Sequence, residues 1–344
     1  MIGIYITGLL ILFFGFLNLF GISQNLFFSQ FTFFLVGLFL MFVIKKIGRN
    51  FFSINNKFFY WLFIGFLFLV LFFGAEIRGA KRWLDLYFIN FQPSEFFKVF
   101  YLIFLSNFMA KRKRFADKRL EFLFILIYFL IPAFLIFKQP DLGNTIILTM
   151  IFLSLTFFSD IPKKYFVQLI VVVLLTMPLG WFLLQPYQKT RLLSFLSPHL
   201  DRQGTAYNMI QSIITIGSGK FFGKGLGLGT QTRLYFLPEN STDFAFASLV
   251  EQFGFFGGAS VIILFFLFSY FLLRKLFKYF NKVDEQGRQN FFFLLGLSCY
   301  LISQIVINIG MNMGLFPITG ITLPLISYGG SSLVSFMIGL AFLP

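Results

Sequence analysis

Little in this sequence can carry redox or metal chemistry. It holds one cysteine, Cys299, and one histidine, His199. A disulfide within the chain is excluded, and so are histidine-rich metal sites. Charged residues make up only 12% of the chain, and the acids number 13, so any acid–base chemistry rests on a few Asp and Glu side chains. There is no GxxxxGK[ST] run, which leaves nucleotide-binding readings weak. The first residues, MIGIYITGLLILFFGF, lack a basic n-region and a small-residue cleavage site, so a retained first span is expected in place of a signal peptide. No soluble domain, linker or internal repeat is evident.

What the chain has is apolar length. Its 344 residues are 58% hydrophobic and 22% aromatic, with 59 Phe and a mean hydropathy of +0.84. That composition indicates an all-α polytopic membrane protein, a single integral membrane domain over 1–344. Apolar runs predict about ten spans, near 4–20, 27–44, 58–74, 93–109, 121–137, 142–159, 165–184, 244–273, 291–311 and 320–343. The last is interrupted by Pro317, Pro324, Gly329 and Gly330; such broken backbone is tolerated at membrane depth only where protein packs it or a cavity borders it. The net charge is +15, yet the cations sit between apolar runs, a topological pattern and not a nucleic-acid footprint. With a cytoplasmic N-terminus, the inner connections hold Lys45, Lys46 and Arg49, the run Lys111 to Arg119, Lys163 and Lys164, and Arg274 to Arg288. The short outer connections are nearly bare. The positive-inside rule then puts both termini inside and residues 185–243 outside as one large extracellular loop. KRKRFADKR, Lys111 to Arg119, is expected to anchor beside anionic lipid.

The candidate chemistry gathers in and around that loop. Asp243 precedes an apolar run after Ser241 and Thr242. One reading is a helix N-cap; the other is a general base or cation ligand kept ionised by a helix N-terminus. Gly217, Gly219, Gly223, Gly225, Gly227 and Gly229 form a glycine-rich stretch carrying Lys220, Lys224 and Arg233, with Arg191 upstream. It reads either as a compact interface loop needing positive φ or as a basic loop suited to a lipid-linked phosphate or pyrophosphate. Glu95 and Lys98 share a helix face within an apolar span, where they form a structural ion pair or serve substrate. Asp141 is expected to cap a helix, Glu239 to be able to share a cation with Asp243, and Glu251, about two turns into a span, to require a partner or cavity.

Ordered blocks from about Gly74 onward resemble the SEDS family of bacterial shape, elongation, division and sporulation proteins. They are GAKRWLDL with QPSEFFK; KQPDLGN; YQKTRLLSFLSP with GTAYNMIQS; GSGKFFGKGLGLGTQ with FLPENSTDFAFA and EQFGFFGG; and NIGMNMGLFPITGITLPLISYGGSS. KQPDLG, the FQPSE form and the lack of cytoplasmic extensions are closer to the rod-shape elongation branch than to the division branch. Asn208, DRQGTAY and Asn240-Ser241 depart from the usual pattern. The resemblance implies ten spans, a large loop between spans seven and eight, and peptidoglycan glycosyltransferase activity on lipid II in the bacterial cytoplasmic membrane. It also implies a class B penicillin-binding protein as partner. It places the family's essential acid on Asp243, its PSE-motif pair on Glu95 and Lys98, and its loop arginine on Arg191.

Such a polymerase joins a lipid-linked anomeric carbon to a sugar hydroxyl and expels a lipid pyrophosphate. The chemistry requires a base on the hydroxyl, here Asp243, and cations on the leaving group, drawn from Arg191, Lys220, Lys224 or Arg233. It admits a divalent cation, Mg or Mn; no organic cofactor is expected. Membrane lipids surround the chain. Two rival classes fit the same spans: a flippase moving lipid II, and a non-catalytic scaffold that activates a penicillin-binding protein.

Overall fold

The computed structural model describes residues 1–77, 80–85, 90–111, 117–184, 186–197 and 205–344. Helices run in chain order as α1 (Ile2–Ile22), α2 (Gln24–Ile47), α3 (Arg49–Ile54) and α4 (Asn56–Phe73). Strands β1 (Ala75–Ile77), β2 (Ala80–Asp85) and β3 (Asn90–Phe91) come next. Then follow α5 (Pro93–Ala110), α6 (Lys118–Lys138), α7 (Leu142–Phe157), α8 (Lys163–Leu183), α9 (Pro186–Leu196), α10 (Thr205–Ser218), α11 (Thr230–Arg233), α12 (Ala245–Phe277), α13 (Glu285–Asn312) and α14 (Gly330–Ala341).

Among the described residues, α1, α2, α4, α6, α12 and α13 are long and apolar enough to cross a bilayer, and α7 and α14 are apolar but shorter. Their outer faces expose large apolar side chains such as Phe13, Phe39, Phe42, Phe72, Ile127 and Phe266. In water that surface would be an aggregation hazard; in lipid it faces a matching solvent. The protein is a mostly helical, polytopic membrane protein.

Two features differ from the hydropathy reading. Strands β1, β2 and β3 form a small antiparallel sheet in that order, with Ala75 opposite Trp83 and Leu84 opposite Phe91. The tenth span is helical only over α14; residues 313–329 are turns and extended chain. Pro317 and Pro324 remove backbone donors there, and Gly314 and Gly320 take positive φ.

The chain divides into two compact units: Met1–Leu40, Pro186–Leu272 and Leu301–Met337 in the first, and Met41–Gln185, Leu273–Tyr300 and Ile338–Pro344 in the second. In the second, α5 is the core. All its residues except Phe96 and Asn107 are buried, and α4, α6 and α7 pack with it into a bundle. Aromatic rings fill the gaps, Phe63 stacking on Phe100 at 4.6 Å and Phe129 on Phe152 at 4.3 Å. In the first unit, buried polar side chains stitch α1 to α12. Asn18 donates to the Ala245 carbonyl (3.2 Å) and accepts from Gln252 (2.8 Å) and Ser248 (3.2 Å). Away from water such amides must find partners, so these bonds fix the register of the two helices.

Candidate active site

Asp243 lies in a turn just before α12, and its backbone is held from several sides. Glu239 takes a positive φ of 56°, and its carbonyl accepts from the amides of Thr242 and Phe244, both at 3.1 Å. The Thr242 hydroxyl donates to the Glu239 carboxylate at 2.8 Å. Asn308 and Asn312, one turn apart on α13, both donate to the Asp243 carbonyl, at 3.1 and 3.0 Å. Asn312 also accepts from the Ala247 amide at 3.1 Å. The SYGG break completes the clamp: Ser327 donates to the Thr242 carbonyl (2.6 Å) and the Tyr328 amide to the Ser241 carbonyl (2.7 Å). Phe244 to Val250 are buried while Asp243 is half-exposed. The turn thus presents the Asp243 carboxylate from a backbone bonded on several sides, the preorganisation that a catalytic acid or base requires.

The glycine-rich stretch is a splint on a broken helix. Within α12, Gly254 has φ 71° and ψ −169°, a combination essentially restricted to glycine. The break frees backbone groups on both sides, and residues 220–225 take them up. Lys224 and Gly225 amides donate to the carbonyls of Glu251 (2.9 Å) and Gln252 (3.1 Å), while the Phe255 and Phe256 amides donate to Lys220 (2.8 Å) and Phe221 (3.3 Å). The two backbones approach so closely that a Cβ on Gly254 would collide with the Gly223 nitrogen and the Phe221 carbonyl. These loop amides are committed to protein, and positive φ at Gly223, Gly225 and Gly227 matches the compact-loop alternative.

Glu251 locks the arrangement. Its side chain is fully buried, and its carboxylate accepts five bonds: from Lys224 Nζ (3.1 Å), Ser218 Oγ (3.3 Å), the Gln231 amide (2.9 Å), the Thr232 amide (3.0 Å) and Thr232 Oγ1 (2.6 Å). The partner expected for an acid within a span is therefore Lys224, which also donates to Thr230 Oγ1 at 2.6 Å. Lys220 and Arg233 are exposed. Arg233 ends α11 and borders a cavity of about 180 Å³ with Gly21, Thr232, Tyr235 and Gln252. Arg191 lies on α9, with its side chain outside the described residues, as is His199 altogether. Among the described residues no group of three or more His, Cys, Asp or Glu gathers to cage a metal.

Glu95 and Lys98 belong to the second unit, and the structure brings them together with two other sequence blocks. Pro93 starts α5 and places Glu95 in its first turn. Lys98 is fully buried; its Nζ donates to Glu95 Oε2 (2.9 Å) and Asn144 Oδ1 (2.7 Å) and lies 4.8 Å from the Tyr300 ring centroid. Asn144 donates to Asp141 (2.9 Å) and Ser94 (3.2 Å). Asp141 caps α7, accepting the Asn144 amide at 3.2 Å as anticipated, and receives Gln92 Nε2 at 3.2 Å. Arg82 of β2 stands 3.8 Å from Asp141 and donates to the Pro140 carbonyl. Arg82 of GAKRWLDL thus joins the QPSEFFK and KQPDLGN blocks in one network.

Asn308 and Asn312 were missed as site residues. Two asparagines at i and i+4 in an apolar helix were the available signal, because intramembrane amides need partners.

Known proteins match this architecture. The family model for FtsW, RodA and SpoVE, described as cell cycle protein, covers residues 4–344. A probable peptidoglycan glycosyltransferase FtsW from Buchnera aphidicola subsp. Baizongia pistaciae is 35% identical over 90% of this chain and 81% of its own. Peptidoglycan glycosyltransferase MrdB of Escherichia coli K12 is also 35% identical, over 88% and 80%. Among solved structures, a chain from a peptidoglycan synthase complex that coordinates polymerization and crosslinking superposes with TM-score 0.83 at 27% identity, covering 100% of this chain and 96% of that one. Thermus thermophilus rod shape determining protein RodA gives TM-score 0.71 at 25% identity, covering 99% and 94%. With motifs, helices and relatives in agreement from end to end, this chain belongs to the FtsW/RodA/SpoVE family, the SEDS proteins.

Proposed function

We propose that this protein is a peptidoglycan glycosyltransferase that polymerises lipid II at the outer face of the cytoplasmic membrane, in the elongation branch of its family, with Asp243 as general base. The enzyme class rests on the relatives, named as peptidoglycan glycosyltransferases. The observation that carries the site is the half-exposed Asp243 on a turn clamped by Asn308, Asn312 and Ser327.

In the reaction the acceptor sugar's 4-hydroxyl oxygen bonds to the anomeric carbon of the donor. The bond from that carbon to the lipid pyrophosphate breaks, and the pyrophosphate leaves with the electron pair. Asp243 takes the hydroxyl proton. An ordinary carboxylate is a weak base, so the proton departs late, as the new C–O bond forms and acidifies it. The donor linkage is α and the product β, so one inverting displacement suffices. Lys220, Arg233 and Arg191 are the loop cations proposed for the leaving group. Lys224 already neutralises Glu251 and is assigned to holding the loop. Where a Mg or Mn ion binds, Asp243 would be the carboxylate to hold it, and the ion would offset the charge of the leaving pyrophosphate. Glu95 and Lys98, enclosed by Asn144 and Tyr300, are assigned to scaffolding in their unit.

A class B penicillin-binding protein is the proposed partner, since a structural relative works within a synthase complex that couples polymerization to crosslinking. The test is polymerisation of labelled lipid II by purified protein with that partner, its transpeptidase inactivated. Glycan strands support the reading. Movement of lipid II between leaflets without strands would favour a flippase.

A further inference from the structure

The splint carries an apolar tip that the described residues leave exposed. Phe222 is 84% exposed and Phe221 65%, and beside them on α12 Phe255 and Phe256 are 59% and 54% exposed. The four rings form one cluster, with centroids 5.5 Å apart for Phe222 and Phe256 and 6.2 Å for Phe221 and Phe255. The patch continues along α12 through exposed Ile262, Ile263 and Phe266, on a helix apolar enough to cross a bilayer. At 33 residues α12 is longer than the roughly 20 that a hydrocarbon core takes. Counted back from the basic pair Arg274–Lys275 in its last turn, about 20 residues end at the Gly254 break, beside Phe255. The aromatic cluster therefore falls where the hydrocarbon of the opposite leaflet begins. Lys220 is exposed next to Phe221, a position from which an ammonium can reach lipid phosphates while the stem lies on apolar surface.

We infer that Phe221 and Phe222 insert into the hydrocarbon of the leaflet at the N-terminal end of α12 and anchor the glycine-rich loop to the membrane surface. The occupant is lipid, because the patch extends a span's own lipid-facing side without interruption. The anchor's backbone is preorganised: the Lys220 and Phe221 carbonyls are tied to the Phe255 and Phe256 amides, so insertion has little main chain left to order. The inference does not depend on the proposed activity. If that activity holds, the anchor keeps the loop cations at the level where a lipid-linked pyrophosphate lies.

The test uses full-length protein in nanodiscs of phosphatidylethanolamine and phosphatidylglycerol, with Cys299→Ser to remove the native thiol. A nitroxide is placed at Phe222→Cys and separately at Phe221→Cys. Thr230→Cys serves as the water-exposed reference in the same loop, and Phe266→Cys as the lipid-facing one. Collisions with oxygen and with a polar nickel chelate are measured by power saturation. Labels at 221 and 222 should shift from 230 toward 266, with more oxygen contact and less chelate contact than at 230. A label that matches 230 overturns the inference. So does shielding from both reagents, which means cover by protein, or chelate contact that disappears only when a class B penicillin-binding protein is added, which means a protein-docking surface.

Discussion

Replacing Glu251 by alanine removes the acceptor for five hydrogen bonds at once. Lys224 keeps partial access to water, its side chain being 28% exposed, so its ammonium can rehydrate. The amides of Gln231 and Thr232 cannot do so while the loop stays closed. Removing one partner of a buried ion pair costs about 3–5 kcal/mol, and the rehydrating lysine argues for the lower end. A loss of about 3 kcal/mol in the free energy of loop opening speeds amide exchange by roughly a hundredfold. Hydrogen exchange read by mass spectrometry should show that acceleration at Gln231 and Thr232. Phe255 and Phe256 should accelerate with them, because their amides end on the same loop. Glu251→Gln keeps the shape and one carbonyl oxygen, which can retain the three bonds now made to Oε1. Its amide group then faces the Thr232 donors, a cost of about 1–3 kcal/mol. The reasoning is refuted if Glu251→Ala folds and these amides exchange at the wild-type rate.

Lys98→Met leaves Glu95 buried without its cation and should cost about 3–5 kcal/mol in a denaturation experiment; adding Glu95→Gln should recover most of that, since no charge is then buried alone. Gly254→Ala meets both a forbidden φ/ψ and a collision with Gly223, and should lower stability by about 3 kcal/mol or more, whereas Gly65→Ala on α4, with open space at its Cβ, should be neutral or gain about 0.5–1 kcal/mol. Asn312→Ala removes one of two amides on the Asp243 carbonyl and the acceptor for the Ala247 amide; it should reduce kcat of polymerisation more than it raises KM, as a loss of positioning at the reacting group does.

Hydropathy alone located the long apolar helices α1, α2, α4, α6, α12 and α13, because a bilayer demands long apolar runs and leaves few other solutions, but not the short helices α3, α9, α10 and α11. It also marked the tenth segment as broken, though the helix proves shorter than the apolar run, with residues 313–329 before it in turns and extended chain. The small sheet was not legible: its strands are two to six residues long, too short for alternation to stand out, and β2 packs on α4 and α5. Asp243 was legible as an acid at a helix start, but its clamp was not, because Asn308 and Asn312 lie more than sixty residues away in sequence. The need of Glu251 for a partner could be read from its burial in an apolar run. Its identity, Lys224, 27 residues earlier, could not, since local spacing encodes only neighbours within a turn or two. The glycines show the same limit: their pattern fits a phosphate cradle and a backbone splint equally, and only the Gly254 break on a different element decides how they are used.

The most direct test of the central claim compares wild type with Asp243→Asn in polymerisation of labelled lipid II, each with the class B partner and each shown by thermal melting to be folded. The isosteric amide keeps the turn and its clamp but cannot take the acceptor's proton. The account predicts strands from wild type and none from the variant, with melting unchanged. Strands at the wild-type rate from folded Asp243→Asn would contradict it.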